Sequence, residues 1–211
     1  MSDYGWILPE DVVYQALEDG LDLVNAAVED GTIAELVARI YHNLRAEEQA
    51  DIVTWWSTKD VKLIHGWPVL EHQELPAVAV LIDPEENTQQ YLGDGMFQVV
   101  LSTGEHAIIN GERWSANIAV AIHAENVDLL RWIYQWAKYV LSSRRAVLAA
   151  TFRHRQQLSG RDLRPQKIGD SGRFVFIRAL NFVCEFDQFD VARTPAPEIT
   201  DVAGVTNVTG A

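Results

Sequence analysis

Asn117-Ile118-Ala119-Val120-Ala121-Ile122-His123-Ala124-Glu125-Asn126-Val127-Asp128-Leu129-Leu130 is the stretch that decides the fold. Its first half alternates. Ile118, Val120 and Ile122 fall on one side of a pleat, and Ala119, Ala121 and His123 on the other. After Asn126 the period changes. Leu130, Ile133, Ala137, Val140, Leu141, Val147 and Leu148 recur at spacings of three and four, which predicts an amphipathic helix from Asn126 to Ala150. A strand and a helix so closely joined must pack face to face. Upstream, Glu105–Asn110 and Glu112–His123 flank Asn110-Gly111, and read as a hairpin feeding into the helix.

Towards the N-terminus the pattern is helical. Pro9 opens a helix through Val28, with Glu10 and Asp11 at the positive end of its dipole. Its apolar face is Val13, Ala16, Leu17, Leu21, Val24 and Val28, and Gly20 weakens its middle enough to mark a break. Asp30-Gly31 is a turn. Thr32, with Glu35 three residues on, reads as a capping box for a second helix carrying Ile33, Leu36, Val37, Ile40, Tyr41 and Leu44. A third helical piece, Ala46–Ser57, ends in Trp55-Trp56. Residues 1–60 hold thirteen Asp and Glu against Arg39, Arg45 and Lys59, so this lobe is acidic.

Beyond Lys59 the chain reads as strands. Val61–Trp67 is one, ended by Pro68. Leu75-Pro76-Ala77-Val78-Ala79-Val80-Leu81-Ile82 is a continuous apolar run and so a buried central strand. Asp83–Leu92 reads as a polar connection, Leu92–Gly95 as a turn and Phe97–Leu101 as a short strand. On the far side of the long helix, Arg153–Gly172 is basic and rich in Gly and Ser, which predicts an exposed loop. Arg173–Asp190 returns to strands, with Leu180, Phe182, Cys184 and Phe186 alternating. Pro195 and Pro197 break that pattern, and the stretch from Val191 to Ala211 reads as an extended arm. Its Ile199, Val202, Val205 and Val208 are β-branched, as a strand added to an open sheet edge would need. The class is therefore α+β: a helical N-terminal lobe, a mostly antiparallel sheet packed by one long helix, and an extended C-terminal arm. The divisions fall at 1–58, 59–190 and 191–211.

Composition narrows the function. Of 211 residues 48% are hydrophobic and 22% charged, as in an ordinary globular chain. No apolar run approaches the ~20 residues of a membrane span, and the N-terminus lacks the basic and apolar regions of a signal peptide. The single cysteine, Cys184, excludes an intrachain disulfide and reads as a buried structural thiol, consistent with folding in a reducing cytoplasm. The net charge of −13 argues against general nucleic-acid binding. The charge is also segregated. Ten basic residues between Lys138 and Arg178 are opposed only by Asp162 and Asp170, a local balance of +8 that leaves −21 on the rest. Such a chain can complement its own copies or an oppositely charged partner. Seven tryptophans supply candidate anchors for a core or an interface.

Chemistry-bearing motifs are sparse. There is no phosphate-binding Gly-rich loop and no nucleophile elbow. His65 and His72 with Glu71 are separated by Pro68 and read as loop residues, not metal ligands. Asp83, Glu85 and Glu86 lack the spacing of a Ca²⁺ loop. Glu105 and Glu112 read as a solvated pair beside a turn. No cofactor is expected and catalysis is not.

The order of elements carries a resemblance. An apolar Leu75–Ile82 strand and a Tyr91-Leu92-Gly93-Asp94 turn precede the alternating Ile118–His123 strand. Asn126 then opens a long helix through Arg144-Arg145, followed by a basic segment and a final strand pair. Over residues 60–190 this resembles the tail terminator (head–tail joining) proteins of tailed bacteriophages. The resemblance implies an α/β unit that forms a hexameric ring in the virion neck, assembled in the host cytoplasm. That ring stops growth of the tail tube, and of any sheath, and presents a surface to the head connector. It also implies that DNA passes through the lumen without specific binding. A ring needs two different complementary faces. Trp132 and Trp136, displaced from the Leu130/Ile133/Ala137 stripe, are expected to face a neighbouring subunit, with Arg144, Arg145, Arg153, Arg155, Arg161 and Arg164 supplying charge. Two other readings stand beside this one: a neck adaptor or stopper contacting the portal, and a small α/β enzyme or ligand-binding domain.

Overall fold

Two very long strands form the spine. The structure is a computed structural model and describes residues 8–66, 74–82, 86–90, 97–100, 106–152, 155–168 and 173–194. In chain order the helices α1 (Pro9–Glu29), α2 (Ile33–Ile40) and α3 (Ala46–Trp56) precede the strands β1 (Lys62–His65), β2 (Ala77–Ile82), β3 (Glu86–Gln90) and β4 (Phe97–Val100). Then come β5 (His106–Ala124), α4 (Val127–Ser143), α5 (Arg145–Thr151), β6 (Arg155–Asp162), β7 (Gln166–Ile168) and β8 (Arg173–Thr194). The α+β class holds.

β5 and β8 pair antiparallel without a register shift from His106↔Thr194 to Ala124↔Phe176. At ~3.3 Å per residue the 19 paired positions span about 60 Å. β2, β3 and β4 lie end to end along the other side of β5, each antiparallel to it. β1 adds to β2 in parallel, and β6 closes the far side on β8, giving the order β1-β2-β5-β8-β6.

Three expectations from local sequence fail here. Asn110-Gly111 does not turn: Gly111 sits within β5 opposite Phe189. The polar Asp83–Leu92 connection contains β3, and the basic Arg153–Gly172 segment contains β6 and β7. In each case pairing with a long neighbouring strand overrides the local signal, as the context dependence of β-structure allows.

The pleat sorts β5 as its alternation predicts. Ile118, Val120 and Ile122 are fully buried among the helices, with Val78, Val80, Leu180 and Phe182 beside them. Ala119 and Ala121 join Ala79 and Leu81 in a second cluster on the opposite face. His123 lies on that face, 4% exposed, and its Nδ1 has no hydrogen-bond partner. The Cys184 thiol is buried, in no disulfide, and donates to the Ala116 carbonyl oxygen at 3.7 Å.

The helices share one core with the sheet, so the acidic N-terminal lobe is not a separate packing unit. α4 begins where Asn126 caps it, its side-chain oxygen accepting from the Leu129 N–H at 2.8 Å. The predicted single helix to Ala150 is instead broken at Arg144, and Val147 is 62% exposed. α1 runs unbroken through Gly20, which is where it meets α4. A Cβ there would lie 2.6 and 2.8 Å from the two Val140 methyls. α1 ends in a left-handed Gly31 (φ 72°) that lets the Gly31 and Thr32 N–H groups bond back to the Val28 and Ala27 carbonyls. The expected capping box does not form, for Thr32 makes no side-chain cap bond.

Candidate subunit interface

The buried face of α4 is fixed by Leu130, Ile133, Trp136, Ala137, Val140 and Leu141. What remains on the outside is set by the same periodicity. Arg131, Gln135, Lys138, Ser142 and Arg145 follow at steps of four and three, and all are exposed or half-exposed. Within α4, Arg131 and Lys138 are seven residues apart, or about 10 Å along the helix axis, and Arg145 follows as the first residue of α5 past the break.

This basic stripe borders an open groove that runs over α4 from the end of α2 to the sheet edge formed by β6. One part, about 400 Å³, is lined by Asn43, Arg131, Tyr134, Lys138, Ser142 and Arg178. The next, about 350 Å³, is lined by Ser142, Arg145, Gln156, Leu158 and Phe182. The two meet at Ser142. The groove's wall is held rigidly. The Arg178 guanidinium stacks 4.0 Å above the Tyr134 ring, and its Nε lies 3.0 Å from Asp162 Oδ1. Tyr134 reaches this position because β6 has a glycine beneath it. A Cβ on Gly160 would overlap the Tyr134 hydroxyl. Arg131 is drawn towards α3 by Glu48 at 3.3 Å. Lys138 and Arg145 make no ion pair among the described residues.

The residues expected at an interface divide. Trp136 is fully buried against Trp56, ring centroids 5.8 Å apart, and beside Gly20. It is a core residue and not an anchor for another subunit, because α4 is buried on two sides: by the sheet, and by α1 and α3. Trp132 is half-buried and packs edge-on against Trp55, while its carbonyl accepts from the Tyr41 hydroxyl at 2.9 Å. Burial pushes the pKa of that hydroxyl well above the ordinary tyrosine range, so Tyr41 stays a donor. Arg144 is engaged within the chain by Asp19 at 2.7 Å. That ion pair joins α1 to the α4–α5 corner and removes Arg144 from the free cations. Arg145 lines the groove, Arg161 is exposed on β6, and Arg164 is exposed between β6 and β7. Arg155 lies in β6, its backbone paired with Glu185. The Arg155 side chain, Arg153 and the arm residues Ile199, Val202, Val205 and Val208 lie outside the described residues, as do Glu71, His72, Asp83, Glu85 and Glu105.

Arg131, Lys138 and Arg178 are groove cations outside the expected interface set, Lys138 and Arg178 having been counted only in the basic block. The seven-residue recurrence of Arg131, Lys138 and Arg145, opposite the Ile133/Ala137 stripe, was a legible signal for the first. Arg178 belongs to the basic block, and strand pairing with β6 is what brings it to the groove. A second, mostly apolar hollow of about 380 Å³ lies between α1 and the start of α5, lined by Val12, Gln15, Ala16, Arg144, Val147 and Leu148. Among the described residues no group of three or more His, Cys, Asp or Glu side chains is placed to hold a metal ion, and no helix is long and apolar enough to cross a membrane.

Compared with models of protein families, the chain matches none, and it matches no curated protein.

Proposed function

We propose that this chain is a structural subunit that assembles through unlike faces into a ring. By its resemblance to phage tail terminators, that ring sits at the head-proximal end of a tail, where it ends tube growth and joins tail to head. One observation carries the assembly half of this reading. A chain of net charge −13 keeps an open, basic groove on one edge of its helical layer, with Lys138 and Arg145 in no ion pair among the described residues. Unpaired cations on an otherwise acidic protein favour an acidic protein surface as partner and disfavour nucleic acid as a general one. The tail-specific half rests on the order of elements over residues 60–190. On this reading the partners are tube subunits on one side of the ring and a connector protein on the other, and no catalysis is involved.

The test is native mass spectrometry of the purified protein together with electron micrographs of virions. A closed ring of defined copy number, and the protein at the head–tail junction, are the expected results. A chain that stays monomeric at high concentration and is missing from purified virions overturns the proposal.

A further inference from the structure

The groove beside α4 has a counterpart on the same molecule. α1 lies over the opposite edge of the layer, against β1, β2 and β5, whereas α4 lies over β5 and β8 with the groove beyond it towards β6. The outer face of α1 is acidic. Asp11, Glu18, Asp22 and Glu29 are all exposed, and they recur at helical spacing, seven residues separating Asp11 from Glu18 and Asp22 from Glu29. The basic stripe of α4 has the same period.

We infer that the groove beside α4 is the seat of α1 from a second copy of this chain, the acidic stripe of one lying along the basic stripe of the next. The inference rests on the reading of the chain as a self-assembling subunit and deepens it by naming the two surfaces that meet. Within one chain α1 and α4 run antiparallel, since Asp19 meets Arg144 while Val12 and Ala16 lie by Leu148. A neighbour placed side by side in the same orientation presents its α1 antiparallel to this α4. Asp11 then falls opposite Arg145 and Glu18 opposite Lys138, one heptad matching another. The neighbour's helix extends the α1–α4 layer and covers the part-buried Leu158 at the groove floor. Because donor and acceptor faces lie on opposite edges, the contact is head-to-tail, leaves a free face at each end, and closes only as a ring.

Charge reversal tests this in three preparations: Lys138→Glu with Arg145→Glu, Asp11→Lys with Glu18→Lys (Asp11 lies 3.3 Å from His65 Nε2 within the chain), and an equimolar mixture of the two. All four side chains are exposed, and far-UV circular dichroism checks that each variant is folded. Each variant alone sets like charge against like, which costs several kcal/mol, so its assembly midpoint moves up by about a hundredfold in concentration. In the mixture every contact joins opposite charges again, and assembly returns as an alternating species holding both variants in equal number. Wild-type assembly also weakens between low and ~1 M salt, where the Debye length falls to ~3 Å. If the Lys138/Arg145 variant assembles like the wild type, or the mixture fails to recover, this pairing is wrong while the ring reading stands. A wild type that never assembles overturns both.

Discussion

Gly20→Ala offers the sharpest test of the packing. In an exposed helix interior this change gains about 1 kcal/mol, because glycine loses more backbone freedom on folding than alanine. In α1 the added methyl would lie 2.6 Å from Val140 Cγ2, 2.8 Å from Cγ1 and 3.3 Å from a Trp136 ring carbon. Comfortable carbon contacts lie at ~3.5–4.0 Å. Val140 cannot swing away, since a valine in a helix has essentially one χ1 rotamer. The helices must move apart instead, and overpacking of this kind costs ~1–3 kcal/mol. The net expectation is a loss of about 1 kcal/mol, or a fall in Tm of ~3 °C for a chain of this size. Val140→Ala alone removes two methyls and costs about 2 kcal/mol. In that background Gly20→Ala has room, and it should stabilise by about 1 kcal/mol. Urea unfolding of the four-member cycle, followed by circular dichroism, reads both signs and the coupling between them. If Gly20→Ala stabilises the wild type as much as it stabilises the Val140→Ala protein, the close crossing of α1 and α4 is refuted.

Other substitutions probe the remaining parts. Trp136→Ala should cost ~3–5 kcal/mol, a large buried side chain lost from the core, and Trp132→Ala distinctly less; equal losses in thermal melts would contradict the assignment of Trp136 alone to the deep core. Asn126→Ala should cost about 1 kcal/mol by removing the cap on the Leu129 N–H, and Asn126→Asp should keep most of it; an unchanged urea midpoint in the alanine variant would show the cap to be idle. Burial lowers the pKa of His123, so the folded protein holds it neutral while the unfolded chain takes up a proton near its ordinary ~6.5. The stability tied to this group is whole above about pH 6.5. It is lost as pH falls below that value and levels off once the depressed folded pKa is passed. His123→Gln should flatten that segment of the stability–pH curve, and a slope that survives the change would rule His123 out as its source.

Much of the architecture was legible because buried faces impose period. Ile118, Val120 and Ile122, the run at Ala77–Ile82 and the α1 face all show their partners through spacing. What stayed hidden depends on partners far along the chain. Asn110-Gly111 is a strong local hairpin signal, yet β8 supplies pairing on both sides of it and the strand runs straight through. β6 is an edge strand whose one central apolar residue is Leu158, so no alternation announced it, and its Gly160 makes sense only once Tyr134 lies above it. Trp136 lies off the main stripe of α4 because that helix is buried twice, and a single-stripe reading mistakes the second buried side for an outer one. The basic residues were visible as a block, but their division into an internal ion pair at Arg144 and free groove cations at Lys138 and Arg145 required the helices to be placed.

The unbroken β5–β8 ribbon has a mechanical consequence. Among the residues whose side chains are described, the core cluster includes Ala116 on β5 and Phe186 on β8, and the ladder runs on to His106 and Thr194. Its hydrogen bonds stand perpendicular to the strands. A pull along the strand axis therefore loads all of them together, in shear, instead of opening them one after another from an end. β3 and β4 along one flank of β5 share that load from His106 to Ser115. The ribbon can thus pass axial force from one end to the other without unfolding in steps, and the sheet behaves as a tie rod within whatever assembly it serves.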